Sequence, residues 1–163
     1  MEKVNRKRGN KVMIGIDPGL TGAVAYVGSS IYSVYDIPVM AKGKGAGKVK
    51  YQVNPAELAR VLRQIGKDKV FLERVSSMPG QGVASMFSMG DTFGCIRGVC
   101  AAMGYEVEII TPQSWKKHFK LGKDKEVVRA KAIELFPDVE LPLKKHHNRA
   151  EALLIAQYGM QTN

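Results

Sequence analysis

Two short apolar runs joined by a Pro-Gly turn, within residues 12–27, constrain the fold of this chain more than any other stretch. The first run, 12–16, is nearly unbroken and rich in β-branched residues, which is typical of a central strand buried on both faces. The second run, 23–27, follows the turn at once. The sequence therefore predicts a hairpin whose first strand lies inside a sheet.

The carboxylate of Asp17 stands where the first strand ends. Burying a carboxylate there is costly unless a cation or hydrogen bonds hold it. Gly19 and Gly22 leave no side chain above it, so a metal ion or a phosphate could approach the backbone closely. A tight turn in which Asp17 accepts local N–H bonds would give the same pattern, and the motif alone leaves both interpretations open.

The rest of the chain predicts an α/β domain with a mixed sheet. A third strand, 31–37, would complete an antiparallel meander. A helix that starts with the cap Asn54-Pro55 and ends at Gly66 leads to a fourth strand, 69–72, which this crossover makes parallel to the first. The remaining predicted elements are a strand at 105–110 and helices at 83–102, from Thr111, at 125–136 and at 149–160. We expect a five-stranded sheet, three antiparallel strands and then parallel ones, with helices on both faces; residues 1–11 would be a basic flexible tail and 12–163 a single domain.

The charge balance points to a polyanionic partner. The chain has 25 basic and 15 acidic residues, a net charge of +10, and nucleic acid is the first candidate partner for such a chain. Residues 41–50 contain four lysines and three glycines and predict a mobile loop, either a solvated linker or a basic flap over a phosphate backbone. No apolar run approaches the roughly 20 residues that span a bilayer, so we expect no membrane association.

Three carboxylates from distant segments are candidate metal ligands. Asp17 and Glu73 each end a strand, which is where an open α/β sheet places its site. Glu151 lies in an apolar first helical turn, either as a partner of the helix dipole or as a ligand, and His147 or Asn148 can share its face. If the carboxylates converge, a divalent ion would relieve their repulsion, and oxygen ligands select Mg²⁺ or Mn²⁺. Two such ions could clamp a phosphodiester.

Three glycines spaced by four, Gly90, Gly94 and Gly98, fall on one face of the helix predicted at 83–102. Each costs about 1 kcal/mol of helix stability relative to alanine. This repeated cost indicates a very close neighbour, which could be another helix, a twofold partner or DNA.

Four segments, spread in order over residues 12–160, resemble the motifs of RuvC-type Holliday junction resolvases. They are Ile-Gly-Ile-Asp-Pro-Gly at 14–19, Phe-Leu-Glu at 71–73, Pro-Gln-Ser-Trp-Lys at 112–116 and Asn-Arg-Ala-Glu-Ala-Leu-Leu-Ile-Ala at 148–156. The first motif and the final helix are the most specific pair. The sequence at 78–82 and at 149–154 most resembles the branch of these resolvases found in phages and plastids.

The resemblance implies an RNase H-like fold, a homodimer, and Mg²⁺-dependent paired symmetric nicking of four-way DNA junctions, with Mn²⁺ as a substitute and two ions in each site. Carried over by position, it makes Asp17, Glu73 and Glu151 metal ligands and catalytic residues. Lys116 would stabilise charge at the scissile phosphate. The family's fourth ligand usually lies just before the last acid, where this chain has His147 and Asn148 and no aspartate.

Contacts to DNA are expected from eight lysines and, at the cut, from side chains near the crossover. The loop at 76–81 and Phe87 are candidates for a sequence preference, although we expect Phe87 to pack in the core rather than to act as a wedge. The eight lysines expected to contact DNA are Lys42, Lys44, Lys48, Lys50, Lys116, Lys117, Lys144 and Lys145.

We place the protein in the cytoplasm of a bacterial or phage-infected cell, and not outside it.

Three other functions fit parts of the same pattern. A nuclease acting on RNA–DNA hybrids would share the fold, and a junction-binding protein without catalysis would explain the missing aspartate. Actin-like ATPases and sugar kinases also carry an Asp-x-Gly turn after a first strand. They need a second duplicated domain, for which 163 residues leave little room.

Overall fold

The computed structural model describes residues 11–45, 47–66 and 69–163. Within them the strands are β1 (Val12–Asp17), β2 (Ala23–Gly28), β3 (Tyr32–Asp36), β4 (Val39–Gly45), β5 (Lys48–Val53), β6 (Lys69–Glu73) and β7 (Val107–Ile110). The helices are α1 (Pro55–Ile65), α2 (Val83–Ala102), α3 (Pro112–His118), α4 (Lys125–Leu135) and α5 (His147–Thr162), with a short 3-10 turn at Lys144–His146 before α5.

Five strands form the main sheet, in the order β3-β2-β1-β6-β7. β1 pairs antiparallel with β2, and β2 with β3. β6 lies parallel to β1 and β7 parallel to β6. Every residue of β1 is buried, as expected for a strand with a neighbour on each side and a helical layer on each face. The predicted five-stranded mixed sheet is confirmed.

Helices cover both faces of the sheet, because successive side chains of a strand point in opposite directions. Ile14 and Ile16 pack with Leu58 of α1 and Ile96 of α2. Met13 packs on the other face in a cluster that contains most of the apolar side chains of α4 and α5. The two apolar clusters therefore hold the sheet between two helical layers.

The segment 41–50 is not the loop that the sequence predicted. The strands β4 and β5 pair as a hairpin and form a separate two-stranded sheet. Val39 pairs with Val53 and Ala41 with Tyr51, and the register then shifts at a bulge beside Gly43, whose φ is +148°. The lysines and glycines hid an alternation of Val49, Tyr51 and Val53, the residue types that favour strands. The predicted basic tail lies outside the described residues except for Lys11, whose ammonium group contacts the Asn163 main-chain oxygen.

Phe87 does not pack in the core as predicted, because its side chain is 73% exposed. The buried residues of α2 are Thr92, Ile96 and Cys100, and none of them lies in the first nine residues of the helix. The first turns of α2 thus extend beyond the part of the core that it shares with α1.

The glycine face of α2 is open in this chain. A Cβ atom added at Gly90, Gly94 or Gly98 would meet no atom within 4 Å among the described residues. The predicted close neighbour is therefore not another helix within that part of the chain, and a twofold partner or DNA remains a prediction. No helix in the described ranges is both long enough and apolar enough to cross a membrane.

Candidate active site

Asp17 and Glu73 end two neighbouring parallel strands. In the pairing of β1 with β6, Ile16 lies opposite Leu72, so the residue that follows in each strand is one of the two acids. Both carboxylates therefore lie at the same edge of the sheet, as the sequence predicted from the strand order. Asp17 is buried, with 9% of its surface exposed.

The turn after β1 requires glycine at position 22 because main-chain atoms of the same turn lie very close to it. The Gly22 N–H donates to the Gly19 main-chain oxygen at 3.1 Å. A Cβ atom on Gly22 would lie 2.1 Å from the main-chain oxygen of Asp17, which no side chain can do. The tightness of the turn accounts for Gly22 without any ligand above it.

Glu151 reaches the same edge because α5 lies directly on β1. A Cβ atom at Gly15 would be 2.3 Å from the Ala152 main-chain oxygen and 2.3 Å from the Ala156 main-chain nitrogen. Only a glycine permits this approach. Glu151 is 8% exposed, so the helix carries a charged side chain into the interior rather than into solvent.

The three carboxylates interact electrostatically. Burial raises the pKa of Asp17 well above its usual range, and the negative charges of Glu151 and Glu73 raise it further. Burial also raises the pKa of Glu73, against the effect of a hydrogen bond from Trp115, and the charge of Glu151 adds to the increase. Acids from both ends and the middle of the chain thus share one buried region.

Two lysines supply positive charge to this region. Lys116 places its Nζ 3.6 Å from Oε1 of Glu151. Both Lys116 and Lys125 lower the pKa of Asp17 and of Glu73. Sequence reasoning found Lys116 but missed Lys125, since nothing local distinguishes it from the other lysines at the start of α4.

Trp115 orients the carboxylate of Glu73. Its side chain is fully buried, and Nε1 donates to Oε2 of Glu73 at 2.6 Å. Thr111 caps α3 by accepting a hydrogen bond from the Ser114 N–H, which fixes the helix that carries Trp115. Trp115 lies in the motif at 112–116, for which only Lys116 was predicted to have a role; an indole N–H that needs an acceptor when buried is the signal that could have indicated this contact.

The two candidates for a fourth ligand make other contacts. The Nδ1 of His147 lies 3.0 Å from the Lys144 main-chain oxygen, so Nδ1 carries the proton, and Nε2 accepts from the Lys125 ammonium group at 2.8 Å. The Asn148 amide donates to the main-chain oxygen of Thr21 at 2.7 Å and to its hydroxyl at 3.2 Å. Asn148 therefore ties α5 to the turn after β1.

Within the described part of the chain, no three His, Cys, Asp or Glu side chains are grouped so that they could hold a metal ion. Positive charge near the acids comes instead from Lys116 and Lys125. The donor chemistry of Asp17, Glu73 and Glu151 still fits a hard divalent cation, because such a cation prefers carboxylate oxygens and its charge would offset the repulsion that raises the pKa of Asp17.

The lysines predicted to contact DNA fall into three groups. The hairpin carries Lys42, Lys48 and Lys50, α3 carries Lys116 and Lys117, and the 3-10 turn before α5 carries Lys144 and Lys145. The side chain of Lys44 lies outside the described part of the structure. Of these seven side chains, Lys116 is partly buried and the other six are exposed.

Comparison with solved structures identifies the fold. No family model matches the chain, and neither does any curated protein sequence. The structure of Thermus thermophilus RuvC is 22% identical and has a TM-score of 0.56, over 90% of this chain and 92% of that one. T. thermophilus RuvC in complex with its Holliday junction substrate is 16% identical, with a TM-score of 0.60, over 91% of each chain. This protein therefore has a RuvC-like fold, of the RNase H-like type that the sequence predicted.

Proposed function

We propose that this protein is an endonuclease that resolves four-way DNA junctions by paired symmetric nicks. The observation that carries the proposal is the meeting of Asp17, Glu73 and Glu151 with two lysines at one edge of a RuvC-like sheet. The net charge of +10 supports a polyanionic substrate. A solved structure with this fold is that of RuvC bound to a Holliday junction.

In this proposal the three carboxylates hold Mg²⁺, two ions in each site, with Mn²⁺ as a substitute. Bound Mg²⁺ supplies Lewis-acid chemistry at the scissile phosphodiester. Lys116 and Lys125 stabilise negative charge that develops on the phosphate. Trp115 keeps Glu73 in one orientation through its N–H bond.

A fourth ligand would be neutral. His147 offers Nε2, provided that the Lys125 ammonium group leaves it, and Asn148 offers its side-chain oxygen while its amide N–H stays on Thr21. A neutral ligand attracts a cation less than an aspartate does. We therefore propose that the second ion binds more weakly than the first.

We propose that the active form is a homodimer, because a twofold pair of sites at fixed separation matches a four-way junction and does not match a linear duplex. The open face of α2 with Gly90, Gly94 and Gly98 is a surface on which a partner could pack closely.

We also propose that the protein belongs to the phage and plastid branch of resolvases, because its sequence at 78–82 and at 149–154 resembles that branch. We place its site of action in the cytoplasm of a bacterial or phage-infected cell.

The nuclease proposal is tested with a synthetic four-way junction in Mg²⁺. The wild type should cut the junction into two nicked duplexes and leave a linear duplex and an RNA–DNA hybrid intact, and EDTA should stop the reaction. Asp17→Asn should bind the junction without cutting it. Glu134→Gln is the matched control, since Glu134 is 65% exposed on α4 and pairs only with its neighbour Lys131 among the contacts seen. Cleavage by Asp17→Asn at the wild-type rate would end the assignment, and binding without cleavage by the wild type would favour the non-catalytic alternative.

Metal binding has a readout that does not depend on activity. The chain has one tryptophan, and its indole donates to Glu73. Titrating Mg²⁺ into the protein alone should give a saturable change in Trp115 fluorescence that Asp17→Asn weakens or abolishes. The same response in both proteins would contradict a metal site at these carboxylates.

A further inference from the structure

A cleft separates the β4–β5 hairpin from the first turns of α2. Its volume is ≈ 930 Å³, and its walls include Tyr51 from the hairpin and Phe87 from α2. Both aromatic side chains are accessible, Tyr51 at 52% and Phe87 at 73%. With the exposed Val83 in the same cleft, they form an apolar patch, and an exposed apolar patch with a polar rim marks an interaction site or a ligand-binding groove.

The charged side chains that line the cleft are Lys42, Lys50 and Asp91, with an excess of positive charge. The hairpin sequence at 39–53 contains four lysines and no acidic residue. Lys42 also lies 3.8 Å from Asp91 of α2, with both side chains about half exposed. An ion pair in solvent contributes little, so the Lys42 ammonium group remains able to exchange Asp91 for a phosphate.

One wall of the cleft belongs to the turn that follows Asp17. Leu20, which lines the cleft, follows Asp17 by three residues in the turn after β1. A strand that leaves the carboxylates along this turn would therefore enter the space between Tyr51 and Phe87.

We propose that this cleft binds an unpaired segment of a DNA strand, with bases stacked on Tyr51 and Phe87 and phosphates beside Lys42 and Lys50. Exposed aromatic rings within a basic groove are the general means of binding single strands without reading sequence, because every base has a π-face. The ammonium groups of Lys42 and Lys50 at this cleft are complementary to phosphates, which favours DNA as its occupant. The position of the strand relative to the cut rests on the proposed function; the binding itself does not.

The test measures affinity for a fluorescein-labelled oligothymidylate and for an uncut four-way junction in EDTA. Tyr51→Ala and Phe87→Ala should each weaken single-strand binding at least about fivefold, the lower end of what one base–aromatic stack contributes. Tyr51→Phe should retain wild-type affinity because it keeps the ring. Ile133→Ala, at a partly exposed apolar position on α4, is the matched control and should have no effect.

Salt dependence separates the two kinds of contact. Lys50→Ala should reduce the slope of log affinity against log salt by about one, whereas Tyr51→Ala should weaken binding and leave the slope unchanged. Wild-type affinity in both aromatic variants would overturn the proposal. It would also be overturned if they converted a dimer to a monomer in sedimentation, because the cleft would then hold a second copy of the chain.

The two proposals fail in different ways. If the wild type cuts junctions and the aromatic variants bind single strands normally, the cleft proposal fails alone. If the aromatic variants lose single-strand binding while the wild type never cuts a junction, the cleft stands and the nuclease proposal fails.

Discussion

A methyl group added at Gly15 tests whether the contact between α5 and β1 builds the site. The new Cβ atom of Gly15→Ala would lie 2.3 Å from main-chain atoms of Ala152 and Ala156, against the 3.4 Å at which ordinary contact begins. Main-chain atoms of a helix cannot rotate aside as the end of a side chain can. The helix must therefore move away from the sheet by about 1 Å.

The expected cost follows from this displacement. Overpacking a core costs about 1–3 kcal/mol, and in a domain of this size each 1 kcal/mol lowers the melting temperature by about 2–4 °C. We expect the melting temperature of Gly15→Ala to fall by about 2–12 °C. Ala152 adjoins Glu151, and a misplacement of about 1 Å in a catalytic group can lower a rate about 100-fold, so cleavage should fall much more than the folded fraction does.

Thermal melts followed by circular dichroism and single-turnover junction cleavage measure the two effects. Gly98→Ala is the control, because its Cβ atom would meet nothing within 4 Å among the described residues. In the melting experiment that change should raise stability by up to about 1 kcal/mol, and the exposed-site variant Glu134→Gln is the control for cleavage. Gly15→Ala with wild-type melting and wild-type cleavage would refute the account of how Glu151 is placed. Reduced melting with normal cleavage per folded molecule would show that the site tolerates the shift.

Three further predictions concern charge and hydrogen bonding. The pKa of Asp17 is raised above the ordinary 3.8, so the folded state binds more protons than the unfolded state between 3.8 and the raised value, and stability falls as pH rises through that window. Asp17→Asn should therefore raise the melting temperature at neutral pH in metal-free buffer and flatten its fall as the pH rises above 3.8; a melting profile parallel to that of the wild type would contradict this. Arg149 donates two hydrogen bonds to the carboxylate of Asp36, at 2.7 and 2.6 Å, and lowers its pKa below 3.8. The stabilisation of the fold by this pair is therefore fully present above pH 3.8 and is lost as the pH falls through the lowered pKa. Because Asp36 is mostly exposed, Asp36→Asn should cost about 1 kcal/mol or less in urea unfolding at neutral pH, and a stabilised variant would be the contrary result. Trp115→Phe removes the N–H that lowers the pKa of Glu73, so the acid limb of the cleavage pH profile should move to higher pH, and an unmoved limb would exclude this role.

Local signals in the sequence determined most of the framework. The unbroken apolar run of β1 required burial on both faces, and the structure buries it completely. The predicted caps hold: Asn54 accepts from the Glu57 N–H at the start of α1, and Thr111 caps α3. The order of strands and helices then left few ways to connect the sheet. Such signals are local, because a few neighbouring residues set each backbone conformation.

Tertiary structure alone decided the features that depend on distant partners. The hairpin at 39–53 exists because residues up to fourteen positions apart pair with one another, while its composition is that of a loop. The exposure of Phe87 depends on how far α2 extends past the core, and the place of Lys125 depends on where α4 meets α5. Gly15 explains why Glu151 can be buried beside Asp17 at all, since a close approach of two backbones is a property of the packed molecule and not of either segment.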